Sequence, residues 1–387
     1  MRFDIKTKLN KYAWLLLIIV NLFLIVAVDF TAGIAYKNIN GYAWFTLWES
    51  NDMQFKQVTN ERAYRIKSYK YHHDLAKNVS AHRAEWGETI YSISTNSLGF
   101  KDKTNRQISL KTDKKRLVFI GDSFTEGVGL IYEKTFVGLI DETLKKYDVL
   151  NAGVSSYSPI IYWKKIEHLI NSTKLEFDEL IVYLDISDIE DEASKYVLAR
   201  EHLFLGDGAI TSNIHEKPKL QSEIIKENTI IRAWLRSLLK SLRSPVAPKT
   251  RPILKENKVY TYKDSIDLYR GSWTYNSNSF KNYGKRGLDI SAKHMDKLLQ
   301  ILRKNKIKIT LAVYPWPDQI YYDTVDSKQV IFWENWANKN SVRFINHFKD
   351  FFQLKKRIGA QRLIEEYYIS GDVHFNEKGN ALIKESF

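Results

Sequence analysis

A buried strand that ends in a glycine and a hydroxyl-bearing turn constrains this chain more than any other stretch. The apolar run 117–120 predicts a parallel strand, and Gly121-Asp122-Ser123 leads from it into a helix. In an open α/β sheet, this strand end lies at the edge where ligands bind. Two interpretations fit. Ser123 is a nucleophile whose oxyanion the helix N-terminus stabilises, or the turn is a simple connection with Ser123 or Thr125 as N-cap.

A second polar turn, near the C-terminus, carries the partners that a serine nucleophile requires. Asp372 and His374 lie two residues apart in this turn, just ahead of a helix predicted over 377–385. A nucleophilic serine needs a base, and the base needs a carboxylate that orients it. Alone, an Asp-x-His turn is more typical of a solvated loop. In the same chain as a strand-terminal Gly-Asp-Ser, it indicates a triad of Ser123, His374 and Asp372.

These motifs resemble the blocks of the SGNH (GDSL-type) hydrolases. The Gly-Asp-Ser that ends at Ser123 is similar to the first block of that family, which carries the nucleophile. The Asp-x-His that ends at His374 resembles the last block, with its acid and base. The Asn-Ala-Gly that ends at Gly153 resembles the second block. The resemblance therefore implies that the Gly153 N–H lines an oxyanion hole.

The third block departs from the family pattern. The family usually has Gly-x-Asn-Asp after a strand, whereas this chain has Asp185-Ile186-Ser187-Asp188. Ser187 stands where the oxyanion-hole asparagine would be, and its hydroxyl has a shorter reach than an amide. The Asp-x-His spacing also resembles the membrane-associated polysaccharide O-acetyltransferases, since most of the family has Asp-x-x-His. The resemblance covers roughly residues 96–387.

Strands and helices alternate along the second half of the chain. The sequence predicts strands over 116–120, 148–151, 180–184, 307–313 and 343–346, and helices over 133–146, 159–171, 290–304, 326–338 and 377–385. This alternation predicts an α/β fold with a parallel sheet and right-handed crossovers. The resemblance further implies a three-layer α/β/α sandwich with a mainly parallel, flavodoxin-like sheet.

The N-terminus, residues 1–35, is typical of a membrane anchor. Four basic residues precede the apolar run 13–28, which spans about 24 Å as a helix and needs its flanks to cross a bilayer. The basic flank would stay cytoplasmic and place the remainder on the outer side, periplasmic or extracytoplasmic. A cleaved signal peptide is the rival, because 33–35 is a small-x-small site. The length of the run favours a single-pass anchor.

The rest of the chain is predicted to divide into an extension, a catalytic domain and an insertion in that domain. An aromatic-rich extension is predicted over 36–110 and the catalytic domain over 111–387, with an insertion at about 190–284.

Residues 230–258 of that insertion hold eight Lys or Arg and one acidic residue, half of the net charge of +14. The amphipathic helix predicted there fits an interfacial helix on anionic lipid, a lid, or an ordinary packed helix. Nucleic acid is not expected as a partner, because the charge is local and no binding motif occurs.

Two loops at strand ends have alternative interpretations. Tyr314 and Trp316 follow the fourth predicted strand, where they fit either a sugar-binding platform or a rigid core loop. The acidic residues of 188–192 follow the third strand, where a solvated helix start is favoured over a cation site. The chain has no cysteine, so a thiol nucleophile and disulfides are excluded.

Taken together, these features predict a membrane-anchored enzyme that hydrolyses acyl esters or transfers acyl groups. Its catalytic residues would be Ser123, Asp372 and His374, with Gly153 and Ser187 in the oxyanion hole, and no metal or cofactor is expected. The expected substrates are acylated, particularly acetylated, glycans of the envelope or for export, with glycan-biosynthesis proteins as partners. The rival is a non-catalytic glycan-binding or assembly protein that keeps the fold.

Overall fold

The computed structural model describes residues 2–40, 64–68, 70–198, 210–212, 229, 231 and 260–387. The basic helix predicted in the insertion, and nearly all of the 230–258 stretch, lie outside these residues. The N-terminal helix belongs to one compact unit, and the sheet with its surrounding helices belongs to another. Each is described by itself.

The described strands form one large sheet and two small ones. They are β1 Arg65–Ser68, β2 His72–Leu75, β3 His82–Trp86, β4 Thr89–Thr95, β5 Lys101–Asp102, β6 Arg116–Ile120, β7 Asp148–Asn151, β8 Glu179–Leu184, β9 Tyr196–Leu198, β10 Ile210–Ser212, β11 Lys308–Val313 and β12 Arg343–Asn346. β1 pairs with β2 and β9 pairs with β10. The other eight strands form the central sheet in the order β12-β11-β8-β6-β7-β5-β4-β3.

Helices connect and cover these strands. The described α-helices are α1 Arg2–Asn40, α2 Ser123–Glu126, α3 Phe136–Thr143, α4 Pro159–His168, α5 Asp188–Glu190, α6 Ser277–Ser279, α7 Lys285–Lys304, α8 Pro317–Tyr322, α9 Lys328–Lys339, α10 Phe348–Ile358, α11 Ala360–Tyr367 and α12 Glu377–Glu385. Helices α10 and α11 are not predicted from the sequence, and α7 begins five residues before its prediction.

The parallel part of the sheet is doubly wound. Strands β6, β7, β8, β11 and β12 are parallel, and the first of them lies between the second and the third. This is the flavodoxin-like order, and it confirms the predicted α/β fold. Right-handed crossovers in opposite directions place α3 and α4 on opposite faces. Helix α3 packs against α12, while α4 packs against α7, so three layers result.

The core explains why the parallel strands are predicted well. Every residue of β6 is buried, and the four C-terminal residues of β11 are also buried. A strand covered on both faces has a continuous apolar run, which is easy to identify. The predicted apolar face of α7 is confirmed, because Met295, Leu298, Leu299 and Leu302 are all buried.

Three antiparallel strands extend the sheet beyond β7. No strand is predicted before residue 116, yet β5, β4 and β3 continue the sheet from the edge of β7. The signal for β4 is present but short: Tyr91, Ile93 and Thr95 are buried, and the residues between them are less so. Residues of the predicted extension are therefore an integral part of the central sheet.

The N-terminal helix α1 is long enough and apolar enough to cross a membrane. Its apolar span runs over Tyr12–Ala35, 24 residues, and the most apolar 18-residue window of this span has a mean hydropathy of 2.6. Only 6% of the most apolar window is buried by other residues, so its side chains are free to face lipid. Helix α1 also continues past the small-x-small site at 33–35.

Candidate active site

The nucleophile candidate begins the short helix that follows β6. Gly121 is required there, because a Cβ would lie 2.1 Å from Thr125 Oγ1 and 2.9 Å from the carbonyl oxygen of Tyr183. The N-cap is Asp122, whose side chain accepts from the Phe124 N–H at 3.0 Å. The alternative in which Ser123 or Thr125 caps the helix is therefore wrong, and the Ser123 hydroxyl is not used as a cap.

The three residues of the predicted triad lie together. Ser123 Oγ is 2.7 Å from His374 Nε2, although 251 residues separate them in sequence. His374 Nδ1 is hydrogen-bonded to Asp372 Oδ1, which also accepts from the His374 backbone N–H at 3.0 Å. Ser123 and His374 are each only 7% exposed. A histidine with one nitrogen on a serine and the other on a carboxylate is the arrangement of a serine hydrolase.

The carboxylate of this triad has a further partner that sequence reasoning did not single out. Trp86, at the end of β3, donates its indole N–H to Asp372 Oδ2 at 3.0 Å. Burial of Asp372 opposes ionisation, but hydrogen bonds from His374 and Trp86 outweigh it, and its pKa is lowered. Asp372 is thus ionised at neutral pH, as the orienting residue of a triad must be.

Two aromatic rings hold the imidazole. The Trp86 ring meets His374 edge to face, at 5.0 Å between centroids and 85° between planes. The Phe124 ring lies 4.6 Å from His374 at 36°. Because Phe124 follows the nucleophile directly, the same turn that presents Ser123 also restricts the base.

A buried acidic cluster lies beside the nucleophile. One oxygen each of Asp122, Asp185 and Asp188 lie within 4.8 Å of one another. The Tyr314 hydroxyl is 3.1 Å from Asp122 Oδ1 and 2.8 Å from Asp185 Oδ2. One hydroxyl proton cannot be donated fully to both oxygens, so a proton on Asp122 would allow both contacts to be hydrogen bonds. Burial and the nearby Asp185 raise the pKa of Asp122 well above its usual value.

The cluster does not suit a metal ion. Asp185 accepts from the Ser187 N–H at 2.7 Å, the Trp316 indole at 2.6 Å and the Tyr314 hydroxyl. Asp188 Oδ2 accepts from the Tyr162 hydroxyl at 2.9 Å. Within the described part of the chain, only Asp188 Oδ1 lacks a partner in this cluster. These oxygens already accept from N–H and O–H donors, and a cation at the same place would be repelled by those donors. The cluster is therefore a hydrogen-bonded network rather than a metal site.

The acidic stretch 188–192 is not a solvated helix start as predicted. Asp188, Asp191 and Glu192 are all buried. Glu192 accepts from Ser158 Oγ at 2.9 Å and from the Ile160 N–H at 2.7 Å, and it pairs with a histidine of α7. These side chains cap and connect elements of the core and do not face water.

The loop after β11 is also a core element. Tyr314 is completely buried and Trp316 is 2% exposed. Both donate to Asp185, and Trp316 also stacks near the nucleophile-flanking Phe124 at 5.9 Å. A sugar-binding platform at Tyr314 and Trp316 is therefore excluded, and the rigid-loop interpretation is correct.

The predicted oxyanion donors differ in their surroundings. Gly153 lies against the nucleophile helix, where a Cβ would be 2.7 Å from the Thr125 side chain. Its N–H donates to Asn151 Oδ1 at 3.1 Å. Ser187 is 2% exposed, and its hydroxyl has no hydrogen-bond partner among the described residues. The Ser123 backbone N–H likewise has no acceptor within the part of the chain that the structure describes.

Residues of the predicted extension anchor the nucleophile helix. Glu126 binds Arg65 through two hydrogen bonds, of 2.6 and 2.8 Å, and accepts the Ser155 N–H at 2.7 Å. Buried Lys101 donates to the carbonyl oxygens of Gly127 and Leu130, both at 2.6 Å. Burial lowers the pKa of Lys101 to about 7. The helix has only four residues, so these contacts rather than a helix dipole hold it in place.

Comparison with known proteins returned distant structural matches. No protein-family model and no curated protein matches the chain. A lipolytic protein of the G-D-S-L family from Veillonella parvula is 12% identical, with a TM-score of 0.37, over 70% of this chain and 95% of the other. An acetylxylan esterase from Geobacillus stearothermophilus is 12% identical, with a TM-score of 0.39, over 72% and 94%. An esterase from a Pseudoalteromonas species is 11% identical, with a TM-score of 0.36, over 70% and 94%.

Proposed function

We propose that this protein is a serine ester hydrolase of the SGNH type. The single observation that supports this most is the continuous hydrogen-bonded path from Ser123 Oγ, through His374, to Asp372. Its position at the carboxyl end of β6, the first strand of a doubly wound sheet, also fits.

The mechanism follows from the geometry of the triad. Ser123 Oγ attacks the acyl carbonyl while His374 Nε2 takes its proton, and His374 then returns that proton to the leaving oxygen. The ionised Asp372 holds the imidazole tautomer and stabilises the imidazolium. An acyl group on Ser123 results, and a water or another hydroxyl then attacks it with His374 again as base.

The oxyanion needs donors aimed at the carbonyl oxygen. The Ser123 N–H, which has no acceptor among the described residues, is one, and the Gly153 N–H is the second, which would share its proton between Asn151 and the substrate. Each donor in such a site contributes roughly 3 kcal/mol to lowering the barrier. The Ser187 hydroxyl is the third candidate, and it has no competing partner among the described residues.

The acyl acceptor and the substrate class extend this proposal. A sugar hydroxyl in place of water would make the enzyme an O-acyltransferase, and acetylated envelope or exported glycans are the substrates we favour. Two features support them: the apolar helix α1, which fits a single-pass anchor with the catalytic unit outside, and the Asp-x-His spacing. Tyr314 and Trp316 do not support a glycan substrate, because both side chains are buried.

The decisive experiment is labelling of the full-length protein in detergent with a fluorophosphonate probe. We expect stoichiometric labelling at Ser123, hydrolysis of p-nitrophenyl acetate, and neither in Ser123→Ala. An unlabelled, inactive wild-type protein with a cooperative melting transition would support the non-catalytic assembly protein instead. Acetyl release and acetyl transfer on acetylated and bare polysaccharides then separate hydrolase from transferase.

A further inference from the structure

The hairpin of β3 and β4, at the edge of the central sheet, contacts the triad. Strands β3 and β4 are joined by a two-residue turn, with Trp86 paired to Thr89 across it. The first turn residue, Gly87, has a φ of +59°, which the mirror-image turns of tight hairpins require. Trp86 is therefore the last strand residue before the turn, at a position fixed by the register of β3 and β4.

The two oxygens of Asp372 have different tasks. Oδ1 binds the His374 imidazole and the His374 backbone N–H. Oδ2 has a single donor among the described residues, the indole N–H of Trp86. Donors on one oxygen already restrain rotation of a carboxylate about its Cβ–Cγ bond, and a donor on the other oxygen restrains it further. With both oxygens held, its plane is set, and the imidazole that hydrogen-bonds to it is oriented too.

We propose that Trp86 is a positioning residue of the catalytic triad, which extends the proposed function and rests on it. The Trp86 N–H fixes the Asp372 carboxylate and favours its ionised form, and the Trp86 ring packs against the His374 imidazole, which Phe124 also contacts. Trp86 touches no reacting atom itself. The hairpin of β3 and β4 is consequently part of the active site, although it precedes the nucleophile strand in sequence.

The test replaces the indole N–H and keeps an aromatic ring. Trp86→Phe should lower kcat for p-nitrophenyl acetate about tenfold, equivalent to about 1.4 kcal/mol, while KM changes less than about twofold. A loss confined to kcat is expected because Asp372 and His374 act in the transition state. Site titration with the fluorophosphonate probe gives kcat per competent site, so partial misfolding does not enter the comparison.

A matched control removes the same type of bond elsewhere. Trp336 on α9 donates its indole N–H to Asp296 on α7 at 2.9 Å. Trp336→Phe should leave kcat and KM unchanged. If Trp86→Phe fails to fold, incorporation of benzothienylalanine at position 86 deletes the N–H and keeps the ring shape, and it should give the same tenfold loss.

Non-additivity provides the second criterion. In an Asp372→Asn background, Trp86→Phe should lower kcat by less than about twofold, because the carboxylate that Trp86 positions is already gone. Wild-type kcat and KM in Trp86→Phe, or a full tenfold loss in the Asp372→Asn background, would overturn the positioning role. A wild-type protein that neither labels nor turns over substrate would instead refute the proposed function itself.

Discussion

Two turns of this molecule share one local design and differ in everything around it. In both, an aspartate accepts the backbone N–H of the residue two positions later, from His374 to Asp372 at 3.0 Å and from Ser187 to Asp185 at 2.7 Å. Asp372 retains 26% side-chain exposure and binds an imidazole, whereas Asp185 is completely buried and binds buried aromatic donors. The same Asp-x-X pattern thus holds an imidazole in one place and supports a core network in the other.

The difference lies in the neighbours of each carboxylate. Burial opposes ionisation of Asp372, but the hydrogen bonds from His374 and Trp86 outweigh it and lower its pKa. The turn at Asp185 adjoins two further carboxyl groups, those of Asp122 and Asp188, and burial together with mutual repulsion raises the pKa of both. A spacing in sequence fixes only the turn, and the tertiary partners decide which interactions its carboxylate makes.

The largest expected effect comes from neutralising Asp372, which tests whether the two turns differ in function. Asp372→Asn should reduce kcat about 10³- to 10⁴-fold, because an asparagine no longer holds the imidazole tautomer or stabilises the imidazolium. The urea midpoint should stay within about 0.3 M of wild type. Turnover within tenfold of wild type would show that the turn at Asp372 is only structural.

The same substitution at the other turn should have the opposite profile. Asp185→Asn turns an NH₂ group toward the Trp316 indole, which loses its buried acceptor. We expect a loss of about 2 kcal/mol in the free energy of unfolding, measured by urea denaturation, with kcat per labelled site within about tenfold. Wild-type stability combined with a large loss of kcat would place Asp185 among the catalytic groups.

The raised pKa of Asp188 gives a smaller, pH-dependent effect. It results from burial, Asp185 and Asp122, opposed by the Tyr162 hydroxyl, with Asp191 adding to the repulsion. A carboxyl whose folded pKa exceeds its unfolded value stabilises the protein fully below the unfolded pKa, and this stabilisation is lost as the pH rises through the folded pKa. Asp188→Asn mimics the protonated form, so we expect it to gain about 1 kcal/mol over wild type between pH 4 and pH 8. A difference that does not change across this range would contradict a protonated Asp188.

The smallest expected effect concerns Ser187. Its N–H is already used by Asp185, and its hydroxyl sits on a short stem, so Ser187→Ala should change kcat by less than about threefold. A loss of about 10²-fold or more would instead identify the hydroxyl as an oxyanion donor. Ser187→Asn, which restores the longer amide donor, is the companion variant, and we expect it to raise hydrolysis.

The sequence predicts the structure well for strands that are buried on both faces and for residues that have defined roles in one reaction. Strands β6, β7 and β12 are predicted to the residue. For β6 the reason is burial on both faces, which gives a dense apolar signal. Ser123, His374 and Asp372 are predicted to meet because each residue type has a defined task in one reaction. This prediction does not depend on the separation in sequence, which is 251 residues between Ser123 and His374.

The parts that sequence reasoning missed depend on contacts between remote segments. Trp86 is 286 residues from Asp372, and nothing in an aromatic-rich stretch marks one indole as the donor. Asp188 and Glu192 have the composition of a solvated helix start, and only the approach of Tyr162 and Ser158 reveals that they are buried. The β4 strand was missed because its alternation covers seven residues without a long apolar run.

The separation of Trp86, Ser123 and Asp372 along the chain has a consequence for folding kinetics. These residues come from the edge strand β3, from the helix that follows the central strand β6, and from the turn before the last helix. Contacts of such high sequence separation form only after a large loop has closed, so they are made late. Appearance of fluorophosphonate reactivity during refolding therefore measures completion of the whole topology, and should lag behind the recovery of secondary structure seen by circular dichroism.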